Sequence, residues 1–139
     1  MLIDILNTSK VWLCMLGFWF VLSGCISDPK IVDLEDTLRA YDRVVRWGNY
    51  QMIPSFRSKE KADEVLDYDR LKSIRVTGYA KKQFRVSDKG TEADQLVEIR
   101  YYDENVAREK IEIDKQKWTY DHDEGRWVLV SDLPKFIFP

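Results

Sequence analysis

Cys25 is the residue of this 139-residue chain with the clearest chemical role. It follows Val21, Leu22, Ser23 and Gly24, which close an apolar run beginning at Val11. Its sulfur is the nucleophile needed for a thioether, and small residues at Ser23 and Gly24 let an extended backbone enter a peptidase cleft. A membrane-spanning helix needs about 20 consecutive apolar residues. Val11 to Leu22 falls well short of that and suits the core of a cleavable signal. The segment before it carries Asp4 and a single basic side chain, Lys10, so its start is less positive than such signals usually are.

Other chemistry finds little support. His122 is the only histidine, which excludes multi-histidine metal sites and leaves a general base hard to place. It sits in the turn Asp121, His122, Asp123, Glu124, Gly125. Those carboxylates suit a hard cation, but Gly125 and Arg126 stand where a calcium loop of the EF-hand type needs a ligand and its glycine. A solvated hairpin turn is the expectation. No serine lies in a nucleophile-elbow pattern, and no glycine-rich phosphate loop is present. We therefore expect neither catalysis nor a cofactor. Tyr41, Trp47, Tyr79 and Trp118 are candidates to line a pocket, with core filling as the ordinary alternative. Phe136, Ile137 and Phe138 form an apolar tail that either presents a partner patch or packs back on the sheet.

Leu22, Ser23, Gly24 and Cys25 resemble the lipobox of bacterial lipoprotein precursors. The resemblance implies cleavage before Cys25, a diacylglycerol on its sulfur and an acyl chain on its new amino group. One acyl chain binds membranes only marginally, so stable anchoring takes more than one. An aspartate after the lipidated cysteine favours inner-membrane retention in Gram-negative bacteria. This chain has Ile26 there, which implies the outer membrane, and the expected location is lipid-anchored at its periplasmic face. Cys14 would then be removed and Cys25 blocked, leaving no thiol pair for an oxidising compartment to join. The net charge of −2 gives no bulk attraction to nucleic acid. The expected partners are the membrane, through the anchor, and an envelope protein.

The residues after Cys25 fit one domain. The expected division is a signal at 1–24, a lipidated tether at 25–32 and a folded domain at 33–139. Asp33 is a plausible helix N-cap, followed by Leu34, Leu38, Tyr41 and Val45 at helical spacing, and Gly48 and Asn49 stop the helix. Arg39, Arg43 and Arg46 read as its solvated face. Tyr50, Ile53 and Phe56 suggest a short second helix, and residues 62–71 a further turn or two. From Ser73 the pattern alternates. Strands are expected at about 74–87, 93–102, 106–120 and 126–131, with turns at Asp88 to Gly90, Asp103 to Asn105 and Asp121 to Gly125. The apolar phase passes from Ile111 and Ile113 to Trp118 and Tyr120, which predicts a β-bulge near Lys115.

Helices followed by a meander of long antiparallel strands make an α+β domain. This order resembles the cystatin-like or NTF2-like architecture, in which a curved four-stranded sheet forms a cone around the first helix. The ending from Trp127 to Pro134 resembles the closing strand of small proteobacterial lipoproteins of that fold. The fold hosts enzymes, secretion components and binding modules, so it constrains function little. A non-catalytic binding or structural domain predicts a filled cone. A small-ligand carrier or enzyme predicts an open cavity with a buried carboxylate or tyrosine.

Overall fold

The structure is a computed structural model and describes residues 28–137. The lipobox residues Leu22, Ser23, Gly24 and Cys25, and Phe138 of the tail, lie outside the described residues.

Helix α1 spans Pro29–Trp47. Its N-cap is Asp28 rather than Asp33, because the Asp28 carboxylate accepts the Lys30 N–H and Pro29 fills the first helical position. Residues 29–32, expected in the tether, therefore belong to the domain. Leu34, Leu38, Tyr41, Val44 and Val45 form the buried stripe. Gly48 ends the helix at φ 70°, and the N–H groups of Gly48 and Asn49 reach the carbonyls of Val45 and Val44. Arg39, Arg43 and Arg46 face solvent, and Arg39 pairs with Asp36 at 2.7 Å.

A 3₁₀ helix, Tyr50–Phe56, buries Tyr50 and Ile53. Of the helical turns expected over 62–71, only α2, Tyr68–Leu71, forms, with Asp67 as its cap. Four strands follow in an antiparallel meander: β1 Ile74–Val86, β2 Glu92–Asp103, β3 Arg108–Asp121 and β4 Arg126–Leu129, in spatial order β1-β2-β3-β4. The expected α+β arrangement of helices on a four-stranded antiparallel sheet is what the chain adopts.

The bulge expected near Lys115 is absent, since β3 pairs with β2 without a break from Thr119 to Arg108. The phase change is a change of face. Ile111 and Ile113 point outward, 62% and 48% exposed, while the inward positions beside them are Glu112, Asp114 and Gln116. The register slips lie in β1 instead, between Val76 and Gly78 and between Lys81 and Gln83. The first of these turns Tyr79 into the core, where it is buried.

A last 3₁₀ turn, Lys135–Ile137, brings the tail back under the sheet. Phe136 stacks on Tyr101 with ring centroids 4.6 Å apart, and Glu112 accepts the backbone N–H groups of Lys135 and Phe136.

Candidate functional site

The space between α1 and the sheet is where a fold of this kind could hold a ligand. Tyr41 from α1, Phe56 from the first 3₁₀ helix and Trp118 from β3 meet there edge to face. The Tyr41 ring centroid lies 5.4 Å from each of the other two. Tyr41 and Trp118 are 0% exposed, so these rings fill the interior rather than line a hollow.

Three of the four expected pocket residues, Tyr41, Tyr79 and Trp118, do come together in the core. Trp47 does not. It is 76% exposed, because at about 100° per residue it lies roughly 140° around α1 from Leu34. The expected partner patch is also corrected: Phe136 and Ile137 are 4% and 0% exposed and belong to the core, Phe136 lying against Tyr50 and Tyr101. The tail contributes to the core because aromatic area removed from water outweighs the ordering of one short turn.

Beside the aromatic cluster lies a polar network that the sequence pattern did not reveal. Gln116 donates from Nε2 to the Tyr79 hydroxyl at 2.8 Å and to Asp114 Oδ2 at 2.7 Å. Its Oε1 accepts from Gln95 Nε2 at 3.1 Å and from Trp118 Nε1 at 3.2 Å. Asp114 is buried, and desolvation pushes its carboxyl up to about 6, with the Gln116 bond opposing and the Glu112 charge adding to the rise. Burial first, and then the Asp114 charge, holds the Tyr41 phenol well above its ordinary range.

Asp114 also borders a surface cleft of about 800 Å³ between β3 and the tail, together with Glu112, Asp132 and Lys135. A second concavity, of about 640 Å³, lies on the sheet where Arg85, Asp94, Leu96, Lys115 and Lys117 converge. A carboxyl near 6 can exchange a proton around neutral pH, but the interior beside it is occupied by Tyr41, Phe56 and Trp118.

A second buried polar cluster closes the β4 edge. Arg57 is 1% exposed and donates to the carbonyls of Leu129 and Ser131 and to Glu64 Oε2. Lys61 donates to the Val130 carbonyl at 3.0 Å, and Arg126 reaches back to the carbonyls of Ser55 and Arg57. In the sequence, Arg57 opens a polar stretch, and no pattern marks it as buried.

His122 is exposed in the β3–β4 turn, its ring edge against Tyr120. The Asp121 carboxylate accepts the N–H groups of Asp123 and Glu124, which closes the hairpin turn expected here, with His122 and Asp123 exposed. Among the described residues no group of three histidine, cysteine or acidic side chains is placed to hold a metal, and no helix is long and apolar enough to cross a membrane.

No protein-family model and no curated protein matches the chain. Among solved structures, the solution structure of a SEC-C motif containing protein from Rhodopseudomonas palustris matches with a TM-score of 0.53 at 14% identity, over 68% of this chain and 73% of that one. At that identity the likeness is one of fold.

Proposed function

We propose that this chain is the precursor of a lipid-anchored envelope protein whose domain, a cone of the NTF2-like or cystatin-like kind, serves as a non-catalytic binding or structural module. The observation that carries the non-catalytic reading is the filled interior: Tyr41, Phe56 and Trp118 occupy the position where a ligand would sit. The anchor rests on Leu22, Ser23, Gly24 and Cys25 at the end of an apolar run. Ile26 after the cysteine favours the outer membrane, with the domain in the periplasm.

Chain length supports a close approach to the bilayer. Asp28 already caps α1, and the three residues from Cys25 to it reach only about 10 Å when extended. The end of the domain nearest the lipid is then the N-terminus of α1 with its neighbours. Trp127 Nε1 donates to the Lys30 carbonyl at 2.9 Å, the Lys30 ammonium lies 5.2 Å from the Tyr120 ring centre, and Gly90 of the β1–β2 turn lies beside Asp28.

The test is Cys25→Ala. The wild-type chain is expected to take up labelled fatty acid, lose its first 24 residues and pellet with outer membranes. The variant is expected to lose all label and accumulate as unprocessed precursor. Unchanged processing and fractionation of the variant would exclude the anchor.

A second reading, a small-ligand protein or enzyme, is favoured by one feature, the Asp114 carboxyl bordering the cleft of about 800 Å³. It requires the ligand to bind from the β3 edge rather than inside the cone.

A further inference from the structure

The sheet has two edges, and the chain treats them differently. β4 pairs only with Trp118 to Asp121 of β3, Lys117 bonds to Val130 and Ser131 just beyond it, and a cleft separates Glu112 to Lys115 from the segment 130–135, so among the described residues Arg108 to Gln116 have a strand partner on one side alone. Open edges invite further pairing unless bulges, charges or covering segments prevent it. The β1 edge is broken by two register slips and carries Lys81 and Lys82 at the second. The β3 edge is unbroken and has Ile111 and Ile113 exposed on its outward face.

We propose that this open edge pairs with the same edge of a second copy, antiparallel about a two-fold axis through Ile111. Lys117 directs its N–H to Ser131 Oγ and its carbonyl to the Val130 N–H, both on the β4 side. By strand alternation Glu109, Ile111, Ile113 and Lys115 direct their backbone groups to the open edge. Pairing about Ile111 sets it against the partner's Ile111, with both Ile113 side chains diagonal to that pair. Four exposed isoleucines then cover one another on the outward face.

Charge favours the same register. On the face toward α1, Lys110 meets the partner's Glu112, whose carboxylate also accepts the Lys135 and Phe136 N–H groups of its own tail, and Arg108 meets the partner's Asp114, each twice by symmetry. Arg108 would reach a carboxylate that borders the cleft of about 800 Å³, so there is room for its guanidinium. An axis through Glu112 would instead oppose two Glu112 carboxylates. Glu109 makes no demand on the edge, since its carboxylate accepts from Thr77 Oγ1 at 3.0 Å across its own sheet. A two-fold axis perpendicular to the sheet keeps both copies of α1 on one side. Both anchors of the proposed function then face the same bilayer, although the pairing itself does not depend on them.

The experiment introduces Ile111→Cys into the full chain in its membranes, with Val65→Cys, at an 89% exposed site, and the wild-type chain oxidised alongside. A hydrogen-bonded antiparallel pair holds its Cα atoms about 5.5 Å apart, within disulfide range. The Ile111→Cys chain is expected to double in apparent mass on a non-reducing gel while the other two do not. Any linkage through Cys14 or Cys25 shows in the wild-type lane. In sedimentation, the solubilised wild-type chain is expected to be a dimer and Ile111→Lys a monomer. Equal crosslinking at both engineered sites, a monomeric wild-type chain with no Ile111→Cys crosslink, or a crosslink to a different polypeptide would each overturn self-pairing.

Discussion

Arg57→Ala is expected to lower the stability of the domain by about 3 to 5 kcal/mol, the usual cost of removing one partner from a buried charged cluster. Arg57 is 1% exposed, and its guanidinium satisfies the Leu129 carbonyl at the end of β4 and the Ser131 carbonyl beyond it, together with the Glu64 carboxylate, 2.9 Å away. Removing it leaves the two carbonyls without this donor, unpairs Glu64 and opens a cavity beside the end of β4. The backbone at Arg57 is held at the same place, since it forms a lone parallel bridge to Leu129. Arg57→Lys keeps the charge but loses the planar fork that serves several acceptors at once, so it should recover only part of the loss. Urea unfolding of the three chains side by side measures this. A loss below about 1 kcal/mol for Arg57→Ala would place the residue in the ordinary range of exposed ion pairs and contradict its role.

Asp114→Asn is expected to stabilise the domain at neutral pH. The folded state raises this carboxyl from 3.8 to about 6, mainly by desolvation, so the fold binds the proton more tightly than the unfolded chain does. The contribution is therefore most favourable below about pH 4, declines as pH rises from there through 6, and levels off above that. A shift of this size corresponds to roughly 2 to 3 kcal/mol at pH 7, as an order of magnitude. Asparagine keeps an oxygen to accept from Gln116 Nε2 and carries no charge to desolvate. Its stability should thus lack the decline between pH 4 and 7 that the wild-type chain shows, and exceed it by up to about that amount at pH 7. Measuring both in the Ile111→Lys chain separates this effect from any pairing at the β3 edge. Parallel pH profiles for the two would show that Asp114 does not titrate in this way.

The parts of the fold legible in the sequence are those set by local chemistry. The turns at Asp88 to Gly90, Asp103 to Asn105 and Asp121 to Gly125 separate the strands as expected, because Gly, Asp and Asn adopt turn geometries that interrupt an alternating pattern. The stop at Gly48 follows from the same kind of rule. The helix start moved from Asp33 to Asp28 because both are aspartates and only Asp28 precedes a proline ready for the first helical position.

Features that depend on tertiary contact were not legible. Gly78 and Ala80 alternate with Tyr79 in either phase, so nothing local marks the slip that turns Tyr79 inward. Ile111 and Ile113 read as the inner face of β3, yet the inner face there is Glu112, Asp114 and Gln116, satisfied by the tail, by Tyr79 and by Gln95. An apolar terminal segment such as Phe136 and Ile137 has the same composition whether it docks or protrudes. Of the residues expected to line a pocket, Tyr41, Tyr79 and Trp118 lie together but as core, while Asp114 and Gln116, which complete the cluster, were hidden by the mistaken phase.

The central claim, that Cys25 becomes the lipidated first residue of the working protein, is tested most directly by the intact mass of the wild-type chain extracted from membranes, followed by sequencing of its first peptide. The proposal predicts a chain of Cys25 to Pro139 carrying a thioether-linked diacylglycerol and an acylated amino group. A chain that still begins at Met1, with an unmodified thiol at Cys25, would contradict it.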